Sequence, residues 1–232
     1  MPEDRPVAFP GGTLTLEGLL HLPSTTPASA IVVCHPHPMY GGDMHNNVVF
    51  ALCETAIANG IAALRFNFRG VGASEGRYDN GNGEQDDVHA ALAYLRGLSG
   101  VDPDRIALAG YSFGAAVALR GAAAEDLCAF IAVSLPTMMP LTNVTLARPA
   151  LFVSGDEDEY SDAEDLAEFV ASLGAQVELK LLPGLGHFWF GVERDLVDIA
   201  DAFLKTHVST PATVSMRPGG SHLRPTPPEC QC

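Results

Sequence analysis

Residues 110 to 114 read Gly-Tyr-Ser-Phe-Gly, between the apolar run RIALA and the apolar segment AAVALRGAAA. A serine hydroxyl is a weak nucleophile, and it becomes useful only when presented clear of its surroundings, beside a base and above backbone donors. A strained strand-to-helix turn does this when its close neighbours are glycines, and Gly110 and Gly114 supply that clearance around Ser112. The five-residue pattern alone is weak in a glycine-rich chain. The strand before it and the helix after it give it weight, against the plainer reading of a strand-to-helix connection with a capping serine.

A nucleophile of this kind needs a base and an acid farther along the chain, at the ends of later strands. After the run ALFVSG come Asp156, Glu157, Asp158 and Glu159, and after VELKLL come Pro183, Gly184, Leu185, Gly186 and His187. A histidine on a glycine-flanked loop can swing over a nucleophile, so His187 is the candidate base, whereas His89, His207 and His222 have no comparable setting. The acidic run leaves its members open. Asp162, Glu164 and Asp165 fit the simpler role of carboxylates at a helix start, and the run lacks the glycine of a calcium-binding loop. Acyl chemistry also needs two N–H groups aimed at a developing oxyanion. Phe113, following the nucleophile, offers one. The other falls to the loop His35-Pro36-His37-Pro38-Met39-Tyr40-Gly41-Gly42, where the two prolines have no N–H, leaving His37, Met39 or Tyr40, with His37 favoured. His35, His37 and His45 have no cysteine or carboxylate at ligand spacing, so no metal is expected there.

The elements that must position these residues alternate between short apolar runs and amphipathic helices. The runs are IVVC (31–34), IAALRF (61–66), RIALAG (105–110), FIAVSL (130–135), ALFVSG (150–155) and VELKLL (177–182). Apolar residues at helical spacing, such as Val88, Ala91, Leu92 and Leu95 or Leu166, Phe169, Val170 and Leu173, lie between them. This alternation predicts a mostly parallel sheet with helices on both faces. Ser161 with Glu164 predicts a capping box, Gly174 a helix end, and the segment from Leu14 to Leu22 one or two antiparallel edge strands. Residues 1–206 are expected to form one catalytic domain and 207–232, rich in proline and without apolar period, an extended or disordered tail carrying Cys230 and Cys232.

The chain has 232 residues, 47% of them apolar, enough for a substantial core without disulfides or metals. Thirteen basic against twenty-eight acidic side chains give a net charge of −15, which repels nucleic acid and anionic lipid. The start of the chain does not read as a secretory signal, no run approaches a membrane span, and five scattered cysteines make no disulfide framework. A cytoplasmic location follows as an expectation. The glycines from Gly70 to Gly83 fit neither a dinucleotide fingerprint nor a P-loop.

With these residues in hand, the chain resembles the α/β-hydrolase superfamily over roughly residues 6–206, and within it the small capless bacterial serine hydrolases with a His-Pro-His-Pro-x-x-Gly-Gly loop. The segment from Arg65 to Gly76, RFNFRGVGASEG, resembles the superfamily's loop after the fourth strand. The resemblance implies Ser112 as nucleophile, His187 as base, Asp158 as acid because it stands three residues after Gly155, and His37 with Phe113 as oxyanion donors. Dienelactone hydrolases carry cysteine and haloalkane dehalogenases aspartate at the nucleophile position, so serine here argues against either activity. The segment from Pro136 to Arg148 is too short for a cap. An open site follows, with Tyr40, Met138, Met139, Phe188 and Trp189 as candidate walls, no cofactor, and a short-chain or aryl ester as the expected substrate. A thioesterase or acyltransferase would use the same groups. A binding protein on this fold would ordinarily have lost one of them.

Overall fold

The computed structural model describes residues 4–123, 125–139 and 144–209. Its centre is an eight-stranded sheet in the order β1-β2-β4-β3-β5-β6-β7-β8. The strands are β1 (Arg5–Gly11), β2 (Leu14–His21), β3 (Ala28–Cys34), β4 (Ala62–Phe66), β5 (Val101–Tyr111), β6 (Ala129–Val133), β7 (Ala150–Gly155) and β8 (Val177–Leu182). The first pair forms an antiparallel hairpin whose tight turn places Gly12 at φ +67, and β2 also runs antiparallel to β4. From β4 to β8 every pairing is parallel.

The central strands read as continuous apolar runs because both faces are covered, and successive residues go to opposite sides. Val32 and Leu108 face the layer of α2 (Gly83–Arg96), α3 (Phe113–Ala122) and α4 (Ala163–Ser172). Val33 and Ala109 face the layer of α1 (Asn47–Ala58) and α5 (Glu193–His207). Only residues 134–149 separate β6 from β7, so no cap domain is inserted there. This is the α/β-hydrolase fold. From β3 the chain winds outward through β4, then returns to β5 on the other side. At such a reversal the loops leaving neighbouring strands diverge and leave a crevice at their C-terminal ends.

Two helix boundaries differ from the sequence expectation. Asp162, not Ser161, caps α4: its carboxylate accepts the N–H groups of Glu164 and Asp165, both at 3.0 Å. Ser161 is drawn inward, its N–H spent on Asp158. At the other end of the chain, His207 closes α5, and Val208 is buried in the core with its carbonyl accepting from Arg105 Nη2 at 2.8 Å. The tail therefore does not begin at 207, and the remainder from 210 to 232, with Cys230 and Cys232, lies outside the described residues. Burying a valine side chain contributes about 1.5–3 kcal/mol. A chain ending at Thr206 is accordingly expected to unfold at lower denaturant than one ending at Ser209, and equal midpoints in urea would show that the Val208 contact adds little.

Candidate active site

Ser112 stands where β5 turns into α3, with φ 54 and ψ −123. A non-glycine residue in that region carries strain of about 1–3 kcal/mol and persists only where its surroundings hold it. Here the Ser112 N–H donates to Val133 O at 2.9 Å. The flanking glycines are needed for close approach: a Cβ on Gly110 would lie 2.4 Å from Gly114 O, and one on Gly114 would lie 2.3 Å from His35 O. The turn thus presses against both its own helix and the end of β3, and the serine side chain is left as the group that projects. Gly114→Ala is expected to cost several kcal/mol of stability, since backbone atoms must move, and near-wild-type unfolding midpoints would contradict that packing.

The loops after β7 and β8 bring the other two groups to Ser112. His187 Nε2 lies 2.9 Å from Ser112 Oγ. The other ring nitrogen, Nδ1, lies 2.8 and 3.0 Å from the two oxygens of Asp158. Asp158 also accepts the N–H groups of Tyr160 and Ser161 and the hydroxyl of Ser154. Burial works against its charge, but the hydrogen bonds from His187 and from the Tyr160 N–H hold the carboxyl below its usual range. An ionised Asp158 requires the proton on His187 Nδ1, which leaves Nε2 as an acceptor for the serine proton. Asp156 does something else: it accepts the Gly184 N–H at 2.6 Å and so fixes the turn that delivers His187. Where the two loops cross, a Cβ on Gly155 would lie 1.7 Å from Leu185 O.

The loop after β3 is rigid for identifiable reasons. His35 is buried, its Nδ1 donating to Pro36 O at 2.7 Å and its Nε2 accepting the Phe68 N–H at 3.0 Å. Burial lowers its pKa to about 4, so the ring is neutral in the folded protein. The unfolded chain takes up a proton below about 6.5 and the folded protein does not until about 4, so this contribution to stability is complete above the upper value and declines between the two. Stability is expected to fall by about 2 kcal/mol from pH 6.5 to 5 on this account. Urea unfolding of His35→Gln at both pH values checks it: the fall should shrink in the variant, and an unchanged fall would assign it to other groups. Farther along, the N–H groups of Tyr40 and Gly42 bond His37 O, that of Gly41 bonds Pro38 O, and that of Met39 bonds His37 Nδ1. The His37 N–H has no partner among the described residues, and neither has that of Phe113.

A cavity of about 680 Å3 opens over Ser112 and His187, lined among others by Tyr40, Met138, Met139, Phe188, Phe190, Tyr78 and Tyr160. Trp189 is not one of its walls. It is fully buried on the α1/α5 side, where Nε1 donates to Ser134 Oγ at 3.1 Å, because the chain after His187 alternates, turning Phe188 and Phe190 outward and the indole inward. Sequence reading also passed over Tyr111, whose hydroxyl donates to His187 O at 3.0 Å while its ring stacks on the imidazole, and Tyr160, whose ring tilts against His187 at 4.7 Å. Both stand next to residues already singled out, Ser112 and the acidic run, and nothing in their spacing marks them.

Fold and site together define a hydrolase of the α/β type. Residues 75–207 match the dienelactone hydrolase family, and the chain belongs to that family. It is 34% identical to an uncharacterised protein of Rickettsia prowazekii over 79% of this chain and 81% of that one. Among solved structures, an α/β serine hydrolase homologue from Coxiella burnetii is 35% identical with a TM-score of 0.78, covering 87% of this chain and 97% of that one. A serine hydrolase without a lid from Xanthomonas campestris is 32% identical with a TM-score of 0.80, covering 91% and 98%.

Proposed function

We propose that the protein is a serine carboxylic ester hydrolase. The observation that carries this reading is the unbroken series Ser112 Oγ, His187 and Asp158, with contacts of 2.9 and 2.8 Å, on a strained turn at the floor of an open cavity. Ser112 Oγ attacks the ester carbonyl as its proton passes to His187 Nε2, and the resulting imidazolium is stabilised by Asp158. The oxyanion is met by the N–H groups of Phe113 and His37, neither of which has a partner among the described residues. Collapse expels the alcohol, which takes the proton from Nε2, and leaves an acyl-Ser112. Water, deprotonated by His187, then attacks the acyl carbonyl and restores the serine.

No cofactor enters this sequence of steps. The mostly apolar lining, with Tyr40, Met138, Met139 and Phe188 beside Ser112, suits short acyl chains or aryl esters. No helix among the described residues is long and apolar enough to cross a membrane, and Cys34, Cys53 and Cys128 are free thiols, which fits a reducing cytoplasm.

The test is a panel of p-nitrophenyl and aryl esters of rising acyl length with a matched thioester, alongside labelling by a fluorophosphonate. Ester turnover with label on Ser112 is the expected result. Preference for the thioester would reassign the substrate class, and neither turnover nor label would point to a binding protein on this fold.

A further inference from the structure

Tyr78 stands on the loop between β4 and α2 and packs on the side chains of the two residues whose N–H groups are the proposed oxyanion donors: its ring centroid is 5.0 Å from that of His37 and 5.8 Å from that of Phe113. The loop is held in place from below, the buried Glu84 carboxylate accepting the N–H groups of Asp79 and Gly81, both at 2.8 Å. The Tyr78 hydroxyl lies 3.1 Å from His37 Nε2.

Which of the two donates is decided on the far side of the imidazole. His37 Nδ1 accepts the Met39 N–H at 3.2 Å, so it bears no proton. Burial lowers the His37 pKa below its ordinary value, keeping the ring neutral near pH 7. A neutral imidazole carries one proton, and here it must sit on Nε2, which therefore donates to the tyrosine oxygen. The phenolic proton is then not used on His37. It has no acceptor among the described residues, and the ring carrying it lines the cavity. Burial raises the Tyr78 pKa, so the hydroxyl keeps its proton through the neutral range. Accepting from His37 also polarises the O–H and makes it a better donor.

We infer that the Tyr78 hydroxyl is a third donor to the oxyanion, supplied by a side chain from the loop after β4, with His37 serving twice, through its backbone N–H and through the ring that aims Tyr78. This rests on the serine esterase reading. The phenol fits a carbonyl oxygen that gains charge as Ser112 attacks, and its interaction strengthens toward the transition state, so it acts on kcat more than on KM.

Tyr78→Phe removes the hydroxyl and keeps the ring packing. Loss of a principal oxyanion donor lowers kcat about 10²- to 10³-fold, and for a third donor a fall of about ten- to a hundredfold in kcat is expected, with KM within about threefold. An aryl trifluoromethyl ketone, which becomes an oxyanion on addition of the serine, should lose affinity for Tyr78→Phe by a similar factor. Thermal melting of the variant establishes that it is folded. Unchanged kcat and ketone affinity, or a change confined to KM, would overturn the inference while leaving the esterase reading in place. Absence of ester turnover and of Ser112 labelling in the wild-type protein would remove both. Should Tyr78→Phe fail to fold, tyrosine fluorinated at position 78, a stronger donor on the same ring, should tighten ketone binding, and no tightening would equally overturn the inference.

Discussion

Ser112→Ala is expected to lower ester turnover by at least about 10⁴-fold while the protein stays folded. The hydroxyl is the attacking atom, and its one hydrogen bond among the described residues is with His187 Nε2. Alanine keeps the β-carbon that the strained turn already tolerates, so the backbone is asked for nothing new. Ser112→Gly makes a sharper companion. Glycine enters the region near φ 54 without the steric penalty of a side chain, and relief of strain of order 1–3 kcal/mol should exceed the unfolded-state entropy that glycine adds, about 0.4–1 kcal/mol. A variant that is inactive yet melts higher than wild type is the anticipated outcome. If Ser112→Ala keeps most of the activity, the nucleophile lies elsewhere. If Ser112→Gly melts lower, the turn is not strained by its side chain.

That strain shows why the site could be read from sequence to the extent it was. Ser112 announces itself because backbone constraint demands glycine around it, and glycine is visible: Gly110 and Gly114 sit where a Cβ would strike backbone, while near His187 it is Gly184, at φ +70, whose conformation calls for glycine. The central strands were legible for a similar reason, since a strand covered on both faces needs an uninterrupted apolar run, whereas the edge strand β1, largely exposed, carries no such run. What escaped was set by register and distant neighbours. Phe188, Trp189 and Phe190 are three successive apolar residues, and which of them turns inward depends on Ser134, some fifty positions earlier, being placed to receive the indole N–H. Ser161 and Asp162 are both capping residues by type. The choice fell to Asp162 because Asp158 claims the Ser161 N–H. Val208 follows the last helical residue and looks like the start of a tail, yet Arg105 on β5 ties its carbonyl to the sheet. Tyr78 had no signal of its own. Its placement follows from Glu84 gathering the loop and from the tautomer of His37.

The choice between the two aspartates after β7 can be settled by substitutions that preserve shape. Asp158→Asn should keep the turn intact, because the amide oxygen can still accept from the Tyr160 and Ser161 N–H groups. The NH2 group is then left facing His187 Nδ1. A donor in that position forces the imidazole proton onto Nε2, where it confronts Ser112 Oγ and blocks acceptance of the serine proton. Substrate binding should be little affected and kcat should fall by at least about a hundredfold, with losses near 10⁴-fold for such changes in other triads. Asp156→Asn should do much less, since its role is to accept the Gly184 N–H and an amide oxygen serves for that. A change in kcat below about fivefold is expected, with at most about 1 kcal/mol of stability lost as one charge-assisted hydrogen bond becomes neutral. Steady-state kinetics of the two variants on one ester separates the assignments. The reverse pattern would give the orienting role to Asp156, and near-wild-type rates in both would mean that the carboxylate against His187 orients nothing the reaction needs.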